Sequence, residues 1–128
     1  MDRAEAVQTF GRALDRLKEA LGQPANELIR DAAIKRFEFT FELAWKAIQR
    51  CLREEGIQCR SPKGCLREAF AFGLVPDDPR WIKMMEDRNL TSHTYDEQTA
   101  QTLFANLKEY VPVLEQLHKS LSKLAASS

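Results

Sequence analysis

Apolar residues recur along most of this chain at steps of three and four, the period of a helix with one buried stripe. From Asp2 to Leu21 the stripe is Val7, Phe10, Leu14, Leu17 and Leu21, and Arg12, Asp15, Lys18 and Glu19 fall on the opposite side. Gly22 and Pro24 end this first predicted helix. The next stretch, Asn26 to Glu55, has neither Gly nor Pro, and Gly56 stops it. Within it Phe37, Phe39, Phe41 and Leu43 alternate with Glu38, Thr40 and Glu42, which in isolation is a strand signature. The flanking Ala32-Ala33 and Ala44-Trp45-Lys46-Ala47 contain no turn residue, so the spacing predicts one long helix. At helical pitch Phe37, Phe41, Ala44, Trp45, Ile48 and Leu52 share a face. Phe39 and Leu43 lie nearly opposite Phe37, because two residues turn a helix by about 200°. A helix apolar on two sides is either the centre of a bundle or core on one face and interface on the other. An isologous homodimer is therefore expected, burying Phe39 and Leu43.

Three further helices are predicted. Ser61-Pro62 pairs an N-cap with proline at the first helical position and opens a short helix through Leu66, Ala69 and Phe70 to Gly73. Asp77-Asp78-Pro79 repeats the device before Trp81, Ile82 and Met85, in a helix running to Arg88 or slightly beyond. Thr94-Tyr95-Asp96-Glu97 has the form of a capping box and starts the last helix. There Leu103, Leu107, Tyr110, Leu114, Leu117, Leu121 and Leu124 form a seam of the coiled-coil type. Pro112 lies inside this helix and is expected to kink it near Lys108, whose carbonyl loses its partner. With no strand candidate, the expected fold is an all-α, up-and-down bundle of four or five helices in one domain spanning residues 1–128.

Composition removes several function classes. Nineteen Lys and Arg balance nineteen Asp and Glu, so no global basic field advertises nucleic acid or anionic lipid, and any such contact must be local. No apolar run approaches the roughly 20 residues of a membrane span, and the N-terminus lacks the layout of a signal peptide. A cytoplasmic protein is expected. Cys51, Cys59 and Cys65 are odd in number and lack zinc-ligand spacing, so they read as free thiols. Glu38, Glu42 and Asp87 would bind a metal only if the bundle gathered them, and no Glu-x-x-His pair supports that; no metal or other cofactor is expected. Arg30-Asp31 and Arg36-Glu38 read as solvated charges or intrahelical pairs, and His118 as a solvated side chain. A nucleotide-binding Gly-rich loop is missing, as is a Gly-Ser pair followed by Asp-x-Asp, so this chain does not itself transfer nucleotides.

One polar constellation stands out: Arg88-Asn89-Leu90-Thr91-Ser92-His93-Thr94-Tyr95, at the junction of the last two helices. Arginine holds phosphate through parallel hydrogen bonds, and histidine as a residue type exchanges protons near neutral pH. Asn89, Ser92 and Thr94 are supporting polar groups. The plainer reading is that Asn89, Ser92 and Thr94 cap helices while His93 satisfies a buried carbonyl. Spacing alone leaves both open.

The stretch Arg30 to Lys46 (RDAAIKRFEFTFELAWK), followed in order by Ser61-Pro62, Ala69-Phe70, Gly73-Leu74, Trp81 and Asp87-Arg88-Asn89-Leu90-Thr91-Ser92-His93-Thr94-Tyr95-Asp96, resembles the nucleotidyltransferase-substrate-binding proteins of the HEPN superfamily. The resemblance covers roughly Leu14 to Leu117, and its most specific element is Arg, four residues, His, any residue, Tyr. It implies a five-helix homodimer with a minimal nucleotidyltransferase, encoded nearby, as partner. In related toxin–antitoxin pairs such a protein is a metal-independent RNase neutralised by AMP transfer to tyrosine. By that resemblance Arg88 and His93 are catalytic and Tyr95 is the AMP acceptor. The alternative it carries is a non-catalytic subunit that binds nucleotide or docks the transferase.

Overall fold

A computed structural model describes residues 1–127. They form five α-helices in chain order: α1 (Arg3–Leu21), α2 (Glu27–Glu54), α3 (Pro62–Phe72), α4 (Arg80–Leu90) and α5 (Glu97–Ala126), with a 3₁₀ turn (Thr91–His93) between the last two. No strand occurs among the described residues. The helix starts follow local chemistry. Asp2, Asn26, Ser61 and Asp96 each place a side-chain oxygen on a free N–H of the first turn. Gly73 closes α3 at φ 91°, a left-handed conformation that other residues adopt only with strain.

Contacts between helices give their directions. Arg36 reaches the Arg16 carbonyl (2.8 Å), Thr40 Oγ1 approaches the Ala13 carbonyl (3.1 Å), and Arg3 pairs with Glu55 (3.0 Å). The numbers rise on one helix as they fall on the other, so α1 and α2 are antiparallel. By the same test α5 is antiparallel to α1, through Lys18–Glu115 and Phe10–His118, and to α4, through Lys83–Glu109 and Asp87–Asn106. It is parallel to α2, through Arg30–Glu97 and the Phe37–Tyr110 stack. α2 is the centre: it touches every other helix. Its Phe37, Phe41, Ala44, Ile48 and Leu52 are buried with Phe10, Leu14 and Leu17 of α1 and Leu103, Leu107, Tyr110 and Leu114 of α5. The buried Thr40 hydroxyl is satisfied by the Arg36 carbonyl of its own helix (2.7 Å) or that of Ala13, which lets α1 approach closely. The other side of α2 is uncovered: Phe39 is 51% exposed and Leu43 half-buried.

Five expectations need correction or refinement. Cys59 and Cys65 are disulfide-bonded, with Cα atoms 5.0 Å apart, and only the buried Cys51 is a free thiol. The loop before α3 folds back so that Cys59 meets the first helical turn, a proximity that motif spacing does not encode. α5 begins at Glu97 with Asp96 as its cap, because the chain from Thr91 to Thr94 is occupied by the 3₁₀ turn; the Thr94 capping box does not form. α5 continues through Pro112, which lies with Lys108 on the solvent side, where the freed carbonyl is open to water. Arg30 keeps the expected pair with Asp31 (3.5 Å) but also grips Glu97 of α5 through two nitrogens (2.6 and 3.3 Å), and Arg36 reaches Glu19 of α1 (3.4 Å) while Glu38 pairs with Lys35 instead. His118 is only partly solvated: it is half-buried, its ring edge-on to Phe10 (5.5 Å) and so close to Gly11 that a Cβ there would stand 2.5 Å from Nε2.

Candidate functional site

The site is the junction of α4, the 3₁₀ turn and α5, laid against one face of α2. α4 is anchored beneath by the buried Asp87. One of its oxygens accepts from Tyr110 Oη (2.5 Å) and from Asn106 Nδ2 (3.0 Å), both on α5. Burial, then the hydrogen bond to Asp87, pushes the Tyr110 phenol well above its ordinary value, so it stays a protonated donor. This buried anchor orients the adjacent Arg88, whose side chain is about one-third exposed.

Arg88 Nη2 pairs with Glu42 Oε1 of α2 at 3.2 Å. The other oxygen of Glu42 accepts from Trp45 Nε1 at 3.0 Å. Arg88 Nε is buried without a partner among the described residues. One turn earlier on α2, Glu38 Oε2 accepts from Thr91 Oγ1 (2.7 Å) and Oε1 from Lys35 (2.9 Å). The Thr91 hydroxyl, the Lys35 ammonium and the nearby Arg88 charge hold the Glu38 carboxyl below its ordinary value, against a smaller opposing effect of burial.

His93 ends the 3₁₀ turn on the surface. Its Nδ1 lies 3.4 Å from the Tyr95 hydroxyl, the two rings meet edge-to-face at 5.9 Å, and Tyr95 is 85% exposed. Neither side chain is fastened to the core. Asn89 and Ser92 are exposed, with Ser92 Oγ on the Asn89 carbonyl (3.4 Å), a local bond of the capping kind; Thr94 is half-buried. His93 does not satisfy a buried carbonyl, since its ring partner is the exposed Tyr95.

The stretch from Arg88 to Tyr95 carries a guanidinium, an imidazole and a phenol; the structure joins His93 to Tyr95 and turns Arg88 to the Glu42 carboxylate. Such a set can bind an anion, exchange a proton and present a nucleophile. Among the described residues no three His, Cys, Asp or Glu side chains cluster as metal ligands. Glu38 and Glu42 are turned to Thr91 and Arg88, and Asp87 to Tyr110 and Asn106. Sequence reasoning considers Glu42 only as a metal ligand, and Glu38 as that or as a solvated or intrahelically paired charge beside Arg36. Their four-residue spacing puts them on one face of α2, but only the packing of α4 says what that face meets.

Comparison with known proteins places this architecture. The bundle superposes on a Thermus thermophilus protein of known crystal structure with a TM-score of 0.82, at 44% identity, over 88% of this chain and 98% of that one. It also matches Haemophilus influenzae HI0074, whose structure is described as the fold of a substrate binding domain of a nucleotidyltransferase. That match has a TM-score of 0.80 at 28% identity and covers 90% of this chain and 98% of the other. The family described as nucleotidyltransferase substrate binding protein like matches residues 5–123, and this chain belongs to it. A curated Haemophilus influenzae relative named "Probable ribonuclease HepT" is 36% identical over an alignment of 96 residues, with 68% of this chain and 66% of that protein covered.

Proposed function

We propose that this protein is an endoribonuclease toxin that cleaves RNA without a metal ion, acts as a homodimer, and is silenced by AMP transfer to Tyr95 from a partner nucleotidyltransferase. The observation that carries the reading is the junction itself: an exposed His93 touching an exposed Tyr95, with Arg88 held five residues back. The ribonuclease name of the Haemophilus influenzae relative supports the class of activity, and the family supports the class of partner.

Arg88 would neutralise the scissile phosphate. Cleavage through the 2′-hydroxyl needs one group to take its proton and a second to protonate the departing 5′-oxygen, leaving a cyclic phosphate. Each protomer offers one histidine at the junction, so a two-fold assembly supplies the pair. The uncovered Phe39 and Leu43 line a groove of about 480 Å³ that also contains Glu42, the partner of Arg88. A second copy seated there would bring the two Arg88 side chains towards each other. For silencing, the Tyr95 oxygen would attack the α-phosphorus of ATP, its proton passing to a base on the transferase and pyrophosphate leaving. The attached anion would then compete for Arg88.

A second reading is favoured by the description of HI0074: a non-catalytic subunit that binds nucleotide or docks the transferase. One experiment separates them. Purified protein is incubated with labelled RNA in EDTA, before and after co-expression with the transferase. The wild type should cleave, and His93→Ala should lose roughly a hundred- to ten-thousand-fold in rate. Co-expression should add AMP-sized mass increments and suppress cleavage, and Tyr95→Phe should abolish the increments. Cleavage independent of His93 overturns the RNase reading; increments that persist in Tyr95→Phe overturn the acceptor.

A further inference from the structure

The face of α2 behind the junction carries Glu38 and Glu42, one turn apart, so both carboxylates leave the helix on one side. Each uses one oxygen within its own helix and the other towards the α4 end. Glu38 takes Lys35 (2.9 Å) and Thr91 (2.7 Å); Glu42 takes Trp45 Nε1 (3.0 Å) and Arg88 Nη2 (3.2 Å). The Trp45 indole is half-buried, and its N–H donates to the Glu42 oxygen that is not turned to Arg88, which orients the carboxylate. Arg88 therefore has a defined direction, although its side chain is long and about one-third exposed.

We propose that Glu42, oriented by Trp45, is a positioning residue for Arg88: it holds the guanidinium so that the N–H groups it leaves free face the phosphodiester of a bound RNA. The proposal rests on the RNase reading above. An arginine already fixed by a carboxylate loses less freedom when it binds phosphate, and phosphate placement governs how often the 2′-oxygen is in line for attack. The pair itself is exposed enough to add little to stability, so its removal spares the fold.

The arrangement also predicts an asymmetric kinetic effect. The Glu42 charge repels the RNA phosphate while it aligns Arg88. Its loss weakens alignment but not attraction, and so lowers kcat without raising KM. A merely structural contact would not produce that split.

The test is steady-state RNA cleavage by the full chain in EDTA, comparing wild type, Glu42→Gln and Trp45→Phe. Both variants should lose about 10- to 100-fold in kcat with KM unchanged or lower, and Trp45→Phe should show the smaller loss. Trp45 does not line the groove of Phe39, so it reads the effect even if Glu42→Gln alters assembly. An active wild type with Glu42→Gln and Trp45→Phe at wild-type kcat, or losses expressed as raised KM, overturns the positioning role alone. A wild type that leaves RNA intact overturns the RNase reading, and this proposal with it.

Discussion

Glu38 shows how much one side chain at this junction depends on its partners. It is held ionised by the Thr91 hydroxyl first and the Lys35 ammonium second, so its folded pKa lies below the ordinary 4.5. A depressed carboxyl contributes stability that is fully present above its unfolded pKa and is lost as pH falls through the folded one. The difference in thermal midpoint between wild type and Glu38→Gln should therefore hold steady at neutral pH. It should shrink as pH falls below 4.5 and vanish once both chains carry a neutral side chain. Melting curves across the acid range check this; a difference that persists unchanged at the acid end would mean that shape, not charge, anchors Thr91. The residue types at the junction are legible in the sequence, because Arg88, His93 and Tyr95 lie within one short segment. Their support is not, since Glu38 and Glu42 come from α2 and Tyr110 and Asn106 from α5, far away in the chain.

At the scale of elements, the disulfide belongs to α3. Cys59 in the loop and Cys65 in the first turn close a short ring around the Ser61 cap, and the Cys59 carbonyl accepts from Gln49 Nε2 of α2 at 2.8 Å. Cross-linking so short a loop stabilises by about 2 kcal/mol in the chain-entropy account. The double variant Cys59→Ser/Cys65→Ser should lose about that much in urea unfolding, and a reducing agent should shift the wild type equally while leaving the variant unmoved. If reduction leaves the wild-type midpoint in place, the bond carries no stability. Helix periods are readable because a buried stripe repeats every three to four residues whatever it packs against. The start of α5 is not, because the Thr94-x-x-Glu97 pattern is local while the 3₁₀ turn that pre-empts it is held by the Glu38–Thr91 contact to α2.

For the whole molecule, the uncovered side of α2 is the feature on which the proposed dimer rests. Phe39 is half exposed with the Lys35 ammonium 5.2 Å from its ring centre, and Leu43 lies beside it in the groove. In the proposed dimer this surface is buried by a second copy. Sedimentation equilibrium at micromolar concentration should give twice the chain mass for wild type and a single chain mass for Phe39→Glu. A charge in the centre of an interface typically costs several kcal/mol when unpaired. Cleavage of RNA should fall with assembly, because the second histidine leaves with the second copy. A wild-type monomer that still cleaves would remove the need for a composite site.

The sequence by itself determined the five helices and the two apolar sides of α2, because burial periodicity, caps and glycine stops are written in neighbouring residues; that α2 is the centre was decided by its contacts with every other helix. It also placed Arg88, His93 and Tyr95 in one short segment at the junction of α4 and α5. Only the tertiary structure decided which polar groups face one another across helices: Glu42 with Arg88, Glu38 with Thr91, Asp87 with Tyr110 and Arg30 with Glu97. The pairing of Cys59 with Cys65 was settled there too, by the fold of the loop before α3. A charged or polar side chain on a helix surface has several acceptable partners of similar energy. The relative height and rotation of the packed helices, set by the buried apolar stripes, select among them.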